Sequence, residues 1–209
     1  LSGRRIMVTR SSSQAGELTD LLAREGAESV ELPCIQVQPL EDDSPLRDAA
    51  ARLGGYRWVV FTSVNGVDAF WAVLEGCGMD ARAFGGVSVA TIGPATARSL
   101  ARRGIVADYV PAEYVAEALL EGIGAHVHPG DTVLIPHAEG AREVLVDGLR
   151  ARGVTVDALV AYRTTLPKTF GERARRLPQE NTIDVVTFAS SSTVRNLVPL
   201  LQGDTRPGA

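Results

Sequence analysis

An α/β fold of two similar parallel-sheet domains, with helices on both faces, is what this sequence predicts. Three observations carry that expectation. Short apolar strands alternate with helical stretches along most of the chain, the order expected of parallel sheets covered by helices. A shift of 127 positions superposes two separate stretches. It carries Ile6, Val8, Leu18, Leu22, Gly26 and Leu32 onto Val133, Ile135, Leu145, Leu149, Gly153 and Leu159, and Val59, Phe61, Ser63, Val67 and Phe70 onto Val186, Phe188, Ser190, Val194 and Leu197. One offset serving both stretches points to a duplicated unit. Two apolar strands also stop abruptly in hydroxyls, in "VVFTSVNGV" at 59–67 and "VVTFASSSTV" at 185–194.

Taken in order, Ile6 to Thr9 is a short apolar strand. From Ser13 to Glu25 the apolar residues Ala15, Leu18, Leu21 and Leu22 fall at helical spacing, and Gly26 stops the helix. Val30 to Val37 is extended. Ser44-Pro45 opens a helix in the order cap then proline, and Gly54-Gly55 closes it. The strand around Trp58 to Phe61 leads into a helix with Val67, Phe70, Trp71 and Leu74 on one side. Residues 87–92 form a strand, and Gly93-Pro94 begins a helix that runs to Gly104. Helical spacing covers 112–122, a strand 131–136, a helix 140–152 ending at Gly153, and a strand 155–163. A weak helix, a strand at 184–188 and a helix from about 192 complete the chain. The segment 87–100 would find its repeat counterpart near 214–227, past Ala209, so the first domain is expected to lack its closing strand and helix here.

Composition narrows the function classes. The 209 residues, 45 % of them apolar, suffice for two small domains with cores. No stretch approaches the roughly 18 consecutive apolar residues of a membrane span, and no signal peptide is visible. A net charge of −4 leaves no basic footprint for nucleic acid. Cys34 and Cys77 have no motif spacing, as expected of a reduced, cytoplasmic protein. The start at Leu1 reads as a trimmed or excised piece. His126, His128 and His137 match no metal-ligand spacing. No G-x-G-x-x-G or G-x-S-x-G pattern supports a dinucleotide cofactor or a serine nucleophile.

The hydroxyls at the strand ends admit two compatible readings. Ser63 sits where a helix starts, and serine is among the best helix caps. Ligands of open parallel sheets also bind beyond the carboxyl ends of strands, where free N–H groups favour anions. The turns at 62–65, 91–94 and 190–192 share this chemistry, which suggests a lined cleft.

The ordered set "IMVTR", "VVFTSVNGV", "IGPATARSLARRG", "YVPAEYVAEAL", "VAYRT" and "VVTFASSSTV" resembles the uroporphyrinogen-III synthase family over essentially the whole chain. The resemblance implies one domain from 1–37 plus 167–209 and another from 41–163, joined by a two-stranded linker with its connecting residues at about 38–40 and 164–166. It implies a cofactor-free lyase acting on hydroxymethylbilane, a linear tetrapyrrole with eight carboxylates. Loss of the hydroxyl would give an electrophilic methylene, and ring D would be inverted through a spiro intermediate. Tyr162 would assist the departing hydroxyl, and Arg10, Ser63, Asn65, Thr96, His137, Ser190 and Ser191 would bind the substrate. The protein would work as a cytoplasmic monomer in tetrapyrrole (heme and siroheme) biosynthesis, fused to or beside a uroporphyrinogen methyltransferase. Here "ASSS" replaces a more usual Ser-Pro-Ser, and His137 stands where arginine is frequent. A non-catalytic two-domain sensor binding a tetrapyrrole or another anion is the alternative from a different class.

Overall fold

The computed structural model describes residues 1–180 and 182–201, with side chains at 13, 14, 175, 177–180, 191, 192, 200 and 201 outside that description. The chain divides into two compact units, Leu1–Gln38 with Thr164–Ala209, and Pro39–Arg163.

The first unit holds the parallel sheet β2-β1-β8, formed by Arg5–Val8 (β1), Glu28–Glu31 (β2) and Val185–Thr187 (β8). Helices Ser12–Arg24 (α1), Phe170–Glu180 (α7) and Ser191–Leu201 (α8) belong to it. Its core gathers Met7, Leu32, Cys34, Phe170, Ala174 and Leu197. Burial pushes the Cys34 thiol up to about 12, so it stays protonated and packs as a small apolar group. Residues 30–37, expected as one extended run, divide between β2 and a separate strand, Gln36–Gln38 (β3). Pro33 lies in the gap, and a proline has no N–H to give to a ladder.

The second unit supplies Trp58–Phe61 (β4), Ser88–Thr91 (β5), Thr132–Ala138 (β6) and all but the last two residues of Thr155–Thr165 (β7), in the order β7-β6-β4-β5. Every residue of β4 is buried, which is why the strand reads as a continuous apolar run. Helices Ser44–Ala51 (α2), Val64–Gly76 (α3), Pro94–Ala101 (α4), Ala116–Gly124 (α5) and Val144–Arg150 (α6) cover the sheet. Trp58, Val60, Leu119, Ile123, Val133 and Leu149 form the centre of one core layer. Phe61, Phe70 and Phe84 form an aromatic row elsewhere in the unit, with ring centroids 6.1 and 6.5 Å apart.

The duplication extends to strand register. Arg5 pairs with Glu28, and the same shift of 127 gives the observed pair Thr132 with Thr155. Ile6 pairs with Val185, and the shift gives the observed pair Val133 with Trp58. One three-strand plan, β2-β1-β8 or β7-β6-β4, is therefore built twice. Since a slip of one residue reverses every side chain between faces, the shared register also puts equivalent side chains on equivalent faces.

Candidate functional site

All the parallel strands of a unit end on the same side, so the strand-to-helix turns form its rim. In the second unit the chain leaves β4 through Thr62 and Ser63. Ser63 is extended (φ −160°, ψ 156°) and caps α3, its Oγ accepting from the Gly66 N–H at 3.0 Å. The same Oγ lies 3.0 Å from the Tyr162 hydroxyl. Tyr162 reaches it from the end of β7, next to a register shift at which His137 faces Val160 but Ala138 faces Tyr162. Such bulges recur beside functional sites because they re-aim a side chain. Tyr162 is only 6 % exposed, while Ser63 is half-buried.

Counting hydrogens defines what this pair can do. Ser63 and Tyr162 carry one hydroxyl hydrogen each, and a single hydrogen spans the contact between them. Whichever group donates, one O–H is left over to donate elsewhere. The Gly66 N–H occupies a lone pair of Ser63 and so helps fix the serine in place.

Gly66 makes the arrangement possible. A Cβ there would come within 3.1 Å of the Pro136 carbonyl oxygen and 3.2 Å of Ser63 Oγ. Gly66→Ala should therefore destabilise the protein by about 1 kcal/mol. Overpacking costs about 1–3 kcal/mol, and the better helix propensity of alanine returns about 1 kcal/mol. Urea unfolding measures it, and an unchanged midpoint would mean that α3 moves off β6 at no cost.

The first unit repeats the cap. Ser190 precedes α8, and its Oγ accepts from the Thr193 N–H at 3.4 Å; these residues are Ser63 and Gly66 shifted by 127. Thr193 Oγ1 also donates to the Ser190 carbonyl at 2.7 Å. The Ser191 side chain lies outside the described residues. Arg10 leaves the adjacent strand β1 just after Thr9, which donates to the Thr187 carbonyl. Its Nε is buried with no hydrogen-bond partner among the described residues, a costly state for a cationic donor.

The remaining sequence candidates are scattered along the second rim. Asn65 is half-buried in the first turn of α3. Thr96 is 4 % exposed, on the inner side of α4 that it shares with Ser99 and Leu100. His137 Nδ1 lies 2.8 Å from the Ala138 carbonyl and so carries the hydrogen in the neutral ring, leaving Nε2 as the acceptor. His137 lines a cavity of about 380 Å³ together with Thr62, Arg142, Glu143 and Arg150. A neighbouring cavity of about 340 Å³ is lined by Thr62, Ile92, Tyr114, Val115, Glu117 and Arg142. Arg142 and Tyr114 escaped the sequence reading. The signal for Arg142 was weak: α6 starts at Val144, whereas α1 shifted by 127 would start at Glu139, so this rim loop is longer than its counterpart. Among the described residues no cluster of His, Cys, Asp or Glu could hold a metal ion, and no helix is long and apolar enough to cross a membrane.

The family model described as "Uroporphyrinogen-III synthase HemD" matches residues 16–208. The porphyrin biosynthesis protein HemD of Ruminiclostridium josui is 31 % identical over 198 residues, 95 % of this chain but only 39 % of that protein. The uroporphyrinogen-III synthase of Synechococcus elongatus is 30 % identical over 204 residues, 96 % of this chain and 76 % of its own length. Among solved structures, a mutant uroporphyrinogen III synthase from the extremely thermophilic bacterium Thermus thermophilus superposes with a TM-score of 0.64 at 18 % identity, covering 93 % of this chain and 76 % of that one. At that identity the likeness speaks for the fold.

Proposed function

The chain belongs to the uroporphyrinogen-III synthase family, and from that premise we propose that it cyclises hydroxymethylbilane to uroporphyrinogen III. The observation that carries the reading is the hydroxyl pair Ser63–Tyr162 at a strand end, with one O–H to spare.

The bilane loses its terminal hydroxyl as water, the second hydrogen coming from the N–H of the pyrrole that bears it, and the spare O–H donates a hydrogen bond to that departing oxygen. The methylene left behind is electrophilic. Ring D attacks it through its already substituted carbon, a spiro centre forms and opens, and reclosure leaves ring D inverted. The overall change is a dehydration with ring closure. It transfers no electrons between enzyme and substrate, so its chemistry calls for no redox carrier, and the activity is that of a lyase.

The harder task is regiochemical, because the activated bilane also closes unaided without inversion. Holding the reacting carbons in place can contribute several kcal/mol. Eight carboxylates offer handles for that. Arg10, with its unpartnered Nε, the Ser190 hydroxyl and the N–H groups at the starts of α3 and α8 supply a cation, a hydroxyl and amides that bind carboxylates. Asn65 and His137 sit on the same rim as Ser63 and join this set. In this reading the protein is a cytoplasmic monomer working beside or fused to a uroporphyrinogen methyltransferase.

The test is a coupled assay in which hydroxymethylbilane is generated in place and the products are oxidised and separated. The type III isomer is expected in excess, in proportion to enzyme. Type I alone, at the rate of the buffer control, would overturn the reading and leave a binding module in its place.

A further inference from the structure

We propose that Arg142 and Tyr114 form a subsite for one pyrrole ring of the substrate and its carboxylate arm, and that this subsite governs affinity rather than the chemical step. The inference rests on the reading above and adds residues to it.

Four residues, Thr62, Ala141, Arg142 and Leu145, line both rim cavities of the second unit, so the two are neighbouring parts of one groove. Its second part is largely apolar, walled by Ile92, Val115 and Val144. Tyr114 is 61 % exposed, Val115 45 % and Val144 39 %, a concentration of solvent-facing apolar surface beside a ligand-sized cavity. The Tyr114 ring is propped rather than loose. A Cβ on Gly93 would lie 3.3 Å from its Cγ, so the ring rests against backbone at the start of α4. Arg142 is exposed and has no ion-pair or hydrogen-bond partner among the described residues.

An aromatic face, aliphatic walls and one unpaired guanidinium match a flat heteroaromatic ring that carries a carboxylate. A plain hydrocarbon would leave Arg142 unused, and a small inorganic anion would leave the apolar walls wet. Glu117 also lines the groove, and its charge repels a carboxylate, which directs the anionic arm towards Arg142. Thr62, adjacent to Ser63, connects the subsite with the hydroxyl pair, so a ring held there lies on the same rim as the proposed chemistry.

Two measurements on the full chain test this. In steady-state assays with hydroxymethylbilane, Arg142→Ala should raise KM about tenfold with kcat within twofold, Arg142→Lys should recover much of the loss, and Tyr114→Leu should also raise KM. In calorimetry with uroporphyrin, a stable octacarboxylate tetrapyrrole, Arg142→Ala should weaken binding about tenfold relative to the unaltered chain. If the unaltered chain binds uroporphyrin but makes no type III isomer, the synthase reading falls while the subsite is judged by the calorimetry. Equal KM and equal uroporphyrin affinity in Arg142→Ala would overturn the subsite. So would a loss confined to kcat, or an unaltered chain that binds no uroporphyrin and makes no type III isomer.

Discussion

Tyr162→Phe is expected to slow formation of the type III isomer about tenfold, and the double variant Ser63→Ala/Tyr162→Phe about 10³-fold, within the range that a positioned proton donor supplies. The asymmetry follows from the hydrogen count. Removing the phenol hydroxyl releases the Ser63 O–H from its 3.0 Å contact, and that hydrogen remains available to the departing oxygen. Ser63→Ala leaves the Tyr162 O–H available in the same way, though it also removes a helix cap worth about 1 kcal/mol. Only the double variant has no hydroxyl left at this point. The effects should therefore be strongly non-additive. With the enzymatic route slowed, more bilane closes on its own, so the type I share should rise in step. Thermal melts separate chemistry from folding: Tyr162→Phe should melt near the unaltered protein, since a net hydrogen bond contributes only about 1 kcal/mol. Undiminished kcat in the double variant would remove both residues from the reaction.

Phe70→Ala should cause the largest loss of stability, about 3–5 kcal/mol. Phe70 is fully buried on α3, between Phe61 on β4 and Phe84. Truncation loses the burial of the ring and leaves a void between the Phe61 and Phe84 rings that partial collapse cannot fill. The same helix carries the Ser63 cap, so activity should fall well below the loss of folded protein near the transition. The chain's two tryptophans, Trp58 and Trp71, both lie in the second unit. Their fluorescence in urea therefore reports that unit, which matters because two units need not unfold together. A loss under about 1 kcal/mol would mean that the aromatic row repacks.

Much of the architecture was legible because it rests on features that a linear pattern encodes. The repeat offset of 127 reappears in the strand pairs Arg5–Glu28 and Thr132–Thr155, since alternation along a strand sets its register. The two caps were legible for a similar reason: a serine after an apolar strand and before helical spacing has a local role. Helix limits were less so. The helix expected at 140–152 occupies Val144–Arg150, because the preceding rim loop has no periodicity to mark its end. The burial of Thr96 was available in principle, as Thr96, Ser99 and Leu100 are three and four positions apart and share one helix face. The Ser63–Tyr162 contact was not available. It joins residues 99 positions apart through a bulge, and sequence alternation cannot locate a bulge. Arg142 and Tyr114 likewise gain meaning only from the groove that they line.

The discontinuity of the first unit has a consequence for biosynthesis. Thr9 and Thr187, hydrogen-bonded at 2.6 Å, are 178 positions apart, and the whole of the second unit is translated between them. As the nascent chain emerges, the second unit has all its strands in hand and can fold while β1 still waits for β8. Until β8 leaves the ribosome, β1 presents an unpaired apolar edge, the feature by which sheets recruit other chains. Aggregation during expression should therefore respond far more to changes in β1 and β8 than to equally destabilising changes in the second unit.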